Sequence, residues 1–570
     1  MNIKKYKAAT PEETVKRIRG ILADNMIPVK DVVYGDGDLF CSYRLSIARD
    51  GEEDYTIGTN GKGMTPQYAQ ASAYAEMMER FQNRVVIYPN PANLESACMY
   101  FPDETKVRLD AAKTAAVVRK FTPRVFPESG VDDCDFDCVF LPFYHVNTGE
   151  EAMLPYSLIR WVNGSNGMCA GNIPEEALIQ GFNEIFERYV LQEMYLRRLT
   201  PPDIPVEMFA GTAIFEHLER MRNEHGMDYR IKDCSLGEGF PVVGLVVYNR
   251  DKSKYIAHYG ADLSLTVALE RCFTEVFQGH TADTLPFDNN MNACEALDLF
   301  NEFKRSLVYG RGRMPAEFFG DTPSYDFDAG KRIPEGGDFR EDLHNIVEWL
   351  KRRHNDIYIR DNSFLGFPTY HICVPGLSDM DKSFCNLNAR IADRQAAENN
   401  INPLSRLPLL DDEKLRLAVK MLESNDKEAI SLAPHNRNKN NDVNRLLILM
   451  LASYKLGDDA AALKYVDQYI SGKEKAGKGV KKYYYAIRDL LAGVPMENSA
   501  DSKVAMQFLR NRKDALYACP LPTCPECGRC ELHEGCRYGF LQDVERRTQA
   551  AMARNAIKQT DLSLILRNLC

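Results

Sequence analysis

An internal repeat constrains the fold of this chain more than any other feature. One copy runs Gly63-Met-Thr-Pro66, then Ala69, then Glu76-Met-Met-Glu79-Arg80. A second begins 108 residues on, at Gly171 against Gly63, and runs Gly171-Asn-Ile-Pro174, Ala177, Glu184-Ile-Phe-Glu187-Arg188. Glycine, proline, alanine, both glutamates and arginine keep the same spacing. A third, degenerate copy retains Ala268, Glu275 and Gln278, with Arg271 four residues before the glutamate.

Each full copy predicts a helix. Proline in a first turn, with Thr65 or Asn172 close before it, marks a helix start. Residues at i, i+3 and i+4 share a face, so Glu76, Glu79 and Arg80 project together, as do Glu184, Glu187 and Arg188. Arg271, Glu275 and Gln278 form the matching stripe on the third helix. The plain alternative for any one copy is a solvated salt-bridge face. Three copies in matching register favour a site instead. Two of them follow glycine-rich segments, Gly58-Thr-Asn-Gly61-Lys62-Gly63 and Ser165-Asn-Gly-Met-Cys-Ala-Gly171, read as turns whose N–H groups can approach phosphate oxygens. Clustered glutamates repel one another unless a cation lies between them, and Mg2+ prefers oxygen ligands and substrate phosphates. The arginines can pair with phosphate in bidentate fashion. The residues therefore point to a site for ATP and Mg2+.

These same segments resemble the YcaO family. Thr59-Asn-Gly-Lys-Gly-Met to Arg80, Ser165-Asn-Gly to Arg188 and Gly260-Ala-Asp to Gln278 follow its pattern in order, as does the late turn Pro375-Gly-Leu-Ser-Asp379. The resemblance covers roughly residues 1 to 400. It implies an enzyme that uses ATP to phosphorylate a backbone amide oxygen. A thiol, hydroxyl or sulfide then adds to the carbonyl carbon to give an azoline or a thioamide. It also implies that Glu76, Glu79, Glu184, Glu187 and Glu275 hold Mg2+, and that Arg188 and Arg271 neutralise phosphate charge, with Glu275 beside the chemistry. Lys7, Thr14, Asn172, Cys169, Arg80 and Gln278 are the further nucleotide contacts it implies, Cys169 standing where some relatives have serine. The carboxyl-terminal stretch Leu562 to Cys570 lacks the proline-rich tail of azoline-forming members. The helical region after residue 404 resembles stand-alone bacterial members, which assist a radical-SAM methylthiotransferase acting on ribosomal protein S-twelve. A family leaning towards homodimers is implied as well. Two other readings stay open: an azoline- or thioamide-forming enzyme acting on a ribosomally made peptide, and a scaffold that binds ATP without turnover.

The expected fold class is α+β. Residues 1–404 alternate strand-like runs, such as Pro241 to Tyr248 and Asp356 to Arg360, with helical stretches. Residues 405–515 read as an all-helical domain with a hairpin broken at Leu456-Gly457-Asp458-Asp459. Gly457 and Ala462 fit one tetratricopeptide unit, and an unrelated helical bundle fits as well. Residues 516–570 form a cysteine-rich segment and a final helix. A length of 570 residues accommodates roughly two to four domains.

Five of the 16 cysteines fall in this last segment, at Cys519, Cys524, Cys527, Cys530 and Cys536, with His533 nearby. Successive C-x-x-C steps suit a zinc knuckle or an iron–sulfur loop. The remaining cysteines are scattered, the usual pattern of reduced, buried thiols. A net charge of −10 argues against a phosphate-backbone binder of nucleic acid. The longest apolar run, Leu446 to Ala452, is too short to cross a membrane, and no apolar segment follows the charged amino terminus. A cytoplasmic protein is expected.

Overall fold

A computed structural model gives the fold. It describes residues 7–36, 41–48, 58–85, 100–124, 136–278, 280, 285–287, 289–290, 299–310, 312–380, 407, 410–425, 429–431, 442–477, 479–495, 498–509, 511–518 and 537–566. The five clustered cysteines and His533 lie outside these residues. The chain divides into two compact units, Met1–Val86 with Phe101–Leu387 and Ala550–Cys570, and Ile87–Tyr100 with Asn388–Gln549.

The first unit begins with α1 (Pro11–Asp24), β1 (Val29–Asp36), β2 (Cys41–Ile47), β3 (Gly58–Gly63) and α2 (Pro66–Gln82). There follow β4 (Thr105–Leu109), α3 (Ala111–Phe121), β5 (Phe136–His145), β6 (Glu150–Pro155), α4 (Tyr156–Asn163), β7 (Met168–Ala170) and α5 (Pro174–Arg197). Next come α6 (Ala213–His225), β8 (Asp228–Asp233), β9 (Val242–Tyr248), β10 (Lys254–Ala261) and α7 (Leu265–Val276). The unit continues with β11 (Asn289–Asn290), α8 (Leu299–Tyr309), α9 (Phe339–Arg352), β12 (Tyr358–Asp361) and β13 (Thr369–Cys373). Three antiparallel sheets result, in the orders β1-β2-β3, β11-β10-β9-β8 and β4-β5-β12-β13-β7, with β6 paired to β5.

The repeat maps onto three strand–helix units, β3–α2, β7–α5 and β10–α7, with one strand in each sheet. Each helix packs on its own strand and on a strand of another copy. Helix α2 meets β3 and β7, α5 meets β7 and β10, and α7 meets β10 and β3. The three units thus close a ring, and equivalent helix faces converge on one place.

Close approach of strand and helix explains the glycines. A Cβ on Gly61 would lie 2.0 Å from the Ala69 carbonyl oxygen, and one on Gly260 would lie 2.3 Å from that of Ala268. The second copy has Cys169 at this register, and the helix compensates with Gly181, where a Cβ would come 2.8 Å from Cys169 Sγ. This overturns one expectation. Gly58–Gly63 is a strand paired with β2 from Cys41↔Gly63 to Ser46↔Gly58, not a turn. Gly61 and Gly63 make room for α2 and Gly58 for the backbone of Leu45 in β2, close approaches that a reading from composition alone takes for turn chemistry. The segment before β7 does turn, at Gly164 (φ 62°) and Gly167 (φ 82°).

Strand β9 is apolar throughout because both of its faces are covered. Val242, Val246 and Tyr248 join the core formed with α5 and α9, whereas Val243, Leu245 and Val247 join the one formed with α6 and α7. Leu562 and Leu566, within the segment expected to accompany the clustered cysteines, are buried in the first of these cores. Gln559 ties in beside them, accepting from the Asp361 N–H at 2.7 Å and donating to its carbonyl at 3.1 Å.

In the second unit, helices Arg445–Lys455 and Asp459–Lys475 form the expected hairpin. Gly457 supplies the left-handed turn (φ 82°), and the Asp458 carboxylate caps the second helix by accepting from Ala461 N–H at 2.9 Å. The region is not all-helical: Ala429–Ser431 and Asp442–Asn444 pair as a two-stranded ribbon. The ribbon lies where polar, asparagine-rich sequence carries no apolar periodicity, so its pairing was not legible. The six scattered cysteines that are described are buried and unbridged. Among the described residues, no helix is long and apolar enough to cross a membrane.

Candidate functional site

Helices α2 and α5 bring their stripes together because proline starts each in matching register. Thr65 caps α2, accepting from Tyr68 N–H at 3.4 Å. Gln82 fixes the other end: its amide donates to Phe367 O at 2.8 Å and Thr369 Oγ1 at 2.6 Å and accepts from Leu365 N–H at 2.7 Å. Asn83 accepts from Asn362 Nδ2 at 2.8 Å. These buried amides hold Glu79 and Arg80 one turn earlier. Asn163 and Asn166 do the same for the turn into β7, donating to Ser378 Oγ at 3.0 Å and to its carbonyl at 2.9 Å.

Within the site every carboxylate has a cation near it. Arg80 Nε stands 3.4 Å from Glu76 and its NH1 3.5 Å from Glu79, Arg188 NH2 is 2.7 Å from Glu184, and Lys62 pairs with Glu275. Arg271 donates to Gln180 Oε1 at 2.5 Å and lies 3.6 Å from Asp262. Helix α7 ends at Val276, so Gln278 lies beyond the helix rather than on its stripe, and its amide donates to Asn60 O at 3.3 Å.

Burial dominates the electrostatics. It pushes Glu79 up to about 8, opposed by Arg80 and reinforced by Glu184 and Glu76. It pushes Glu187 up to about 7 against the pull of Lys62 and Arg188. It lowers Lys62 to about 8, opposed by Glu187, Glu76 and Glu184. Residues from all three copies therefore feel one another. Glu79 and Glu187 bind protons more tightly folded than unfolded. Their contribution to stability is complete below the ordinary glutamate value of 4.5 and is lost as pH rises through about 7 to 8. The metal-free protein is accordingly expected to melt lower at pH 8 than at pH 5.5, at roughly 2–4 °C per kcal/mol lost. Melting curves in a chelating buffer test this, and a temperature that is flat or rises across that range contradicts it.

The donor chemistry suits a hard divalent cation. Glu79 Oε1 and Glu184 Oε1 are enclosed without accepting a hydrogen bond, their arginine neighbours notwithstanding. As placed, no three His, Cys, Asp or Glu side chains among the described residues converge on one point. Lys62 and the arginines supply the intervening positive charge here. A metal would be held by Glu76, Glu79, Glu184, Glu187 and Glu275 once these side chains turn from their present partners.

The amino-terminal candidates gather at the start of α5. Thr14 Oγ1 donates to Asn172 Oδ1 at 3.0 Å, and Lys7 Nζ is 3.3 Å from Glu176. Glu176 also accepts from the Asn172 N–H at 3.1 Å. Cys169 is placed differently: its buried thiol lies 3.7 Å from Tyr370 O and packs against Gly181. Sequence reasoning missed Lys62, Glu176 and Asp262. Lys62 carried a signal, since alternation along β3 puts Gly61 and Gly63 on one face and Lys62 on the other. Glu176 and Asp262 carried none, being single acids outside the repeat.

Fold and site together define a repeat-built α+β protein that gathers glutamates, arginines and a lysine from three strand–helix units, chemistry matched to a divalent cation and a polyphosphate. The family profile described as ATP- and Mg2+-binding YcaO cyclodehydratase matches residues 60–378, and the chain belongs to the YcaO family. It is similar to an uncharacterized protein of Haemophilus influenzae, 26% identical over 343 residues. It is also similar to the ribosomal protein S12 methylthiotransferase accessory factor YcaO of Escherichia coli, 27% identical over 344 residues. Each match covers 56% of this chain and 57% of the relative, so the likeness spans little more than half of either. Among solved structures, a heterocyclase in complex with substrate and cofactor is 19% identical with a TM-score of 0.46, over 66% of this chain and 54% of that one. YcaO from Methanopyrus kandleri bound with AMPPCP and Mg2+ is 19% identical with a TM-score of 0.42, over 67% of this chain and 96% of that one. TM-scores this low add nothing about this chain.

Proposed function

We propose that this chain binds ATP with Mg2+ and phosphorylates a backbone amide oxygen of a peptide or protein. The observation that carries the reading is the convergence of acidic and basic stripes from three repeat helices within a protein of this family. Lys7, Thr14 and Asn172, with Glu176, form the nucleotide end of the site. Mg2+ bound by the five glutamates supplies charge neutralisation for the triphosphate. Arg80, Arg188 and Arg271 offer guanidinium groups to phosphate oxygens, where they oppose charge that develops during transfer. Lys62 and Gln278 flank Glu275 at the same place. In the reaction the amide oxygen attacks the γ-phosphorus and ADP leaves. A thiol, hydroxyl or sulfide then adds to the amide carbon with loss of its proton, and the phosphorylated oxygen departs as inorganic phosphate.

The accessory role of the Escherichia coli relative supports a finer version, in which this chain assists methylthiolation of ribosomal protein S12 alongside a radical-SAM methylthiotransferase. The helical hairpin around Gly457 then serves partner docking. ADP release should depend on acceptor: S12 should stimulate it by about tenfold or more over ATP alone. ATP binding without turnover in the presence of S12 or any peptide acceptor would replace amide activation by a scaffold role. The thiol spacing from Cys519 to Cys536 supports a bound zinc ion or iron–sulfur cluster. Metal analysis of anaerobically purified protein should find one near stoichiometry, and Cys527→Ser should lose it. Finding neither metal rejects that assignment.

A further inference from the structure

A lysine- and tyrosine-rich stretch of the second unit plays no part in the repeat or in the site built on it. From Lys473 to Lys482 the chain carries five lysines and one glutamate, and Tyr483-Tyr484-Tyr485 follow directly. A chain of net charge −10 thus concentrates positive charge at one place. The stretch spans the end of helix Asp459–Lys475 and the start of helix Lys482–Leu491. Aromatic contacts join those two ends. The Tyr469 and Tyr484 ring centroids lie 4.9 Å apart, and those of Tyr484 and Tyr483 lie 4.4 Å apart. Lys473 Nζ stands 5.7 Å from the Tyr469 centroid at one end of this row, and Lys481 Nζ stands 5.9 Å from that of Tyr483 at the other. All three rings also pack against the apolar core of the unit, which fixes the row in place.

Several cations elsewhere in this unit have carboxylate partners: Lys414 with Asp411, Arg488 with Asp489, Arg512 with Asp459 and Arg546 with Asp543. Lys475, Lys481 and Lys482 are exposed and form no ion pair among the described residues. The one acid of the stretch, Glu474, accepts instead from Tyr485 OH at 2.7 Å. No acid stands in the first turn of helix Lys482–Leu491, where acids are favoured. We propose that this face binds an acidic peptide segment of a protein partner, its carboxylates meeting Lys473, Lys475, Lys481 and Lys482. Charge complementarity carries the choice of partner. Ammonium groups held over packed rings lose less freedom on binding than lysines on an open helix face. Single-stranded nucleic acid needs open ring faces on which its bases stack. Here Tyr484 stands between two rings, and Tyr469 and Tyr483 each carry a lysine over the ring, an arrangement suited to carboxylates rather than bases. The assignment gives a chemistry to the docking role proposed above for the hairpin, and rests on that role but not on amide phosphorylation.

The probe is a fluorescein-labelled, carboxyl-amidated octapeptide of alternating aspartate and glutamate, added to the full chain without nucleotide. Oligouridylate of equal charge is the second probe. Fluorescence anisotropy at low salt should show saturable peptide binding with a Kd on the order of 10 μM, weakening as salt is raised. Lys481→Gln with Lys482→Gln should weaken it about tenfold, and so should Lys473→Gln with Lys475→Gln. Arg416→Gln with Lys420→Gln removes equal charge on helix Asp412–Glu423 and should change affinity by less than about twofold. Carbodiimide coupling of the peptide to the unaltered chain should map to lysines between 473 and 482, and it decides alone should the variants misfold. Coupling elsewhere, equal losses in patch and control variants, or no saturable binding up to about 1 mM would overturn the assignment. Oligouridylate bound as tightly as the peptide would overturn it in favour of nucleic acid. With nucleotide absent, failure here leaves amide phosphorylation untouched, and failed ATP turnover leaves this binding result standing.

Discussion

Glu187→Gln is expected to weaken Mg2+-dependent ATP binding by about 100-fold or more, some 2.7 kcal/mol. The amide keeps the side chain's shape and removes its charge. Two losses combine. One of five candidate metal ligands disappears, and Lys62 loses its largest stabilising electrostatic partner. Calorimetry at pH 8, where Glu187 is mostly ionised, gives the largest contrast, because its carboxyl titrates at about 7. The stability of the metal-free protein should move the other way. Glu187 is a carboxylate that burial disfavours, so its replacement should leave the melting temperature at pH 8 unchanged or raised. Loss of affinity together with unfolding would signify a structural role. Unchanged affinity in both Glu187→Gln and Glu76→Gln would remove the proposed cation site.

Gly61→Ala is expected to destabilise the first unit by about 3 kcal/mol or more, at the upper end of overpacking effects. The new Cβ would meet Ala69 O at 2.0 Å and Ala73 N at 2.3 Å, both of them backbone, as well as Ala73 Cβ at 2.8 Å. The second copy, with Cys169 opposite Gly181, invites a compensating swap. Gly61→Cys with Ala73→Gly should nevertheless fail to restore stability, because it removes the mildest of the three contacts and leaves the two backbone ones. Denaturant titration of the single and double variants tests this. Full rescue by the swap would show that α2 can move away from β3 at little cost.

Much of the site's content was legible before its geometry. The starts of α2 and α5 follow from Pro66 and Pro174, each in a first turn. Thr65 adds a side-chain cap on α2 alone, and the far end of α2 is tied by Gln82 to the distant residues Leu365, Phe367 and Thr369. The repeat identified the acids and arginines because two full copies share one spacing and a degenerate third keeps its alanine-to-glutamate interval, which chance decoration of a helix does not produce. Gly58–Gly63 was illegible for the opposite reason. Glycines serve tight turns and close backbone approach alike, and only α2 lying against β3 separates the two. Gln278 was placed on the third stripe by spacing, yet α7 ends two residues before it. The ring closure, with α7 returning to β3, joins residues more than 200 positions apart and has no local signature.

The amino-acid sequence by itself determined which helices form and which charged residues each one presents, because propensity, capping and the 3.6-residue period act within a few turns. Tertiary structure alone decided what those charges meet. It placed Lys62 against Glu275, drew Glu176 to Lys7 and Asn172, and turned the Cys169 thiol into the core. Each of these depends on packing between segments distant in the chain, where burial raises or lowers a proton affinity and a missing Cβ admits a helix.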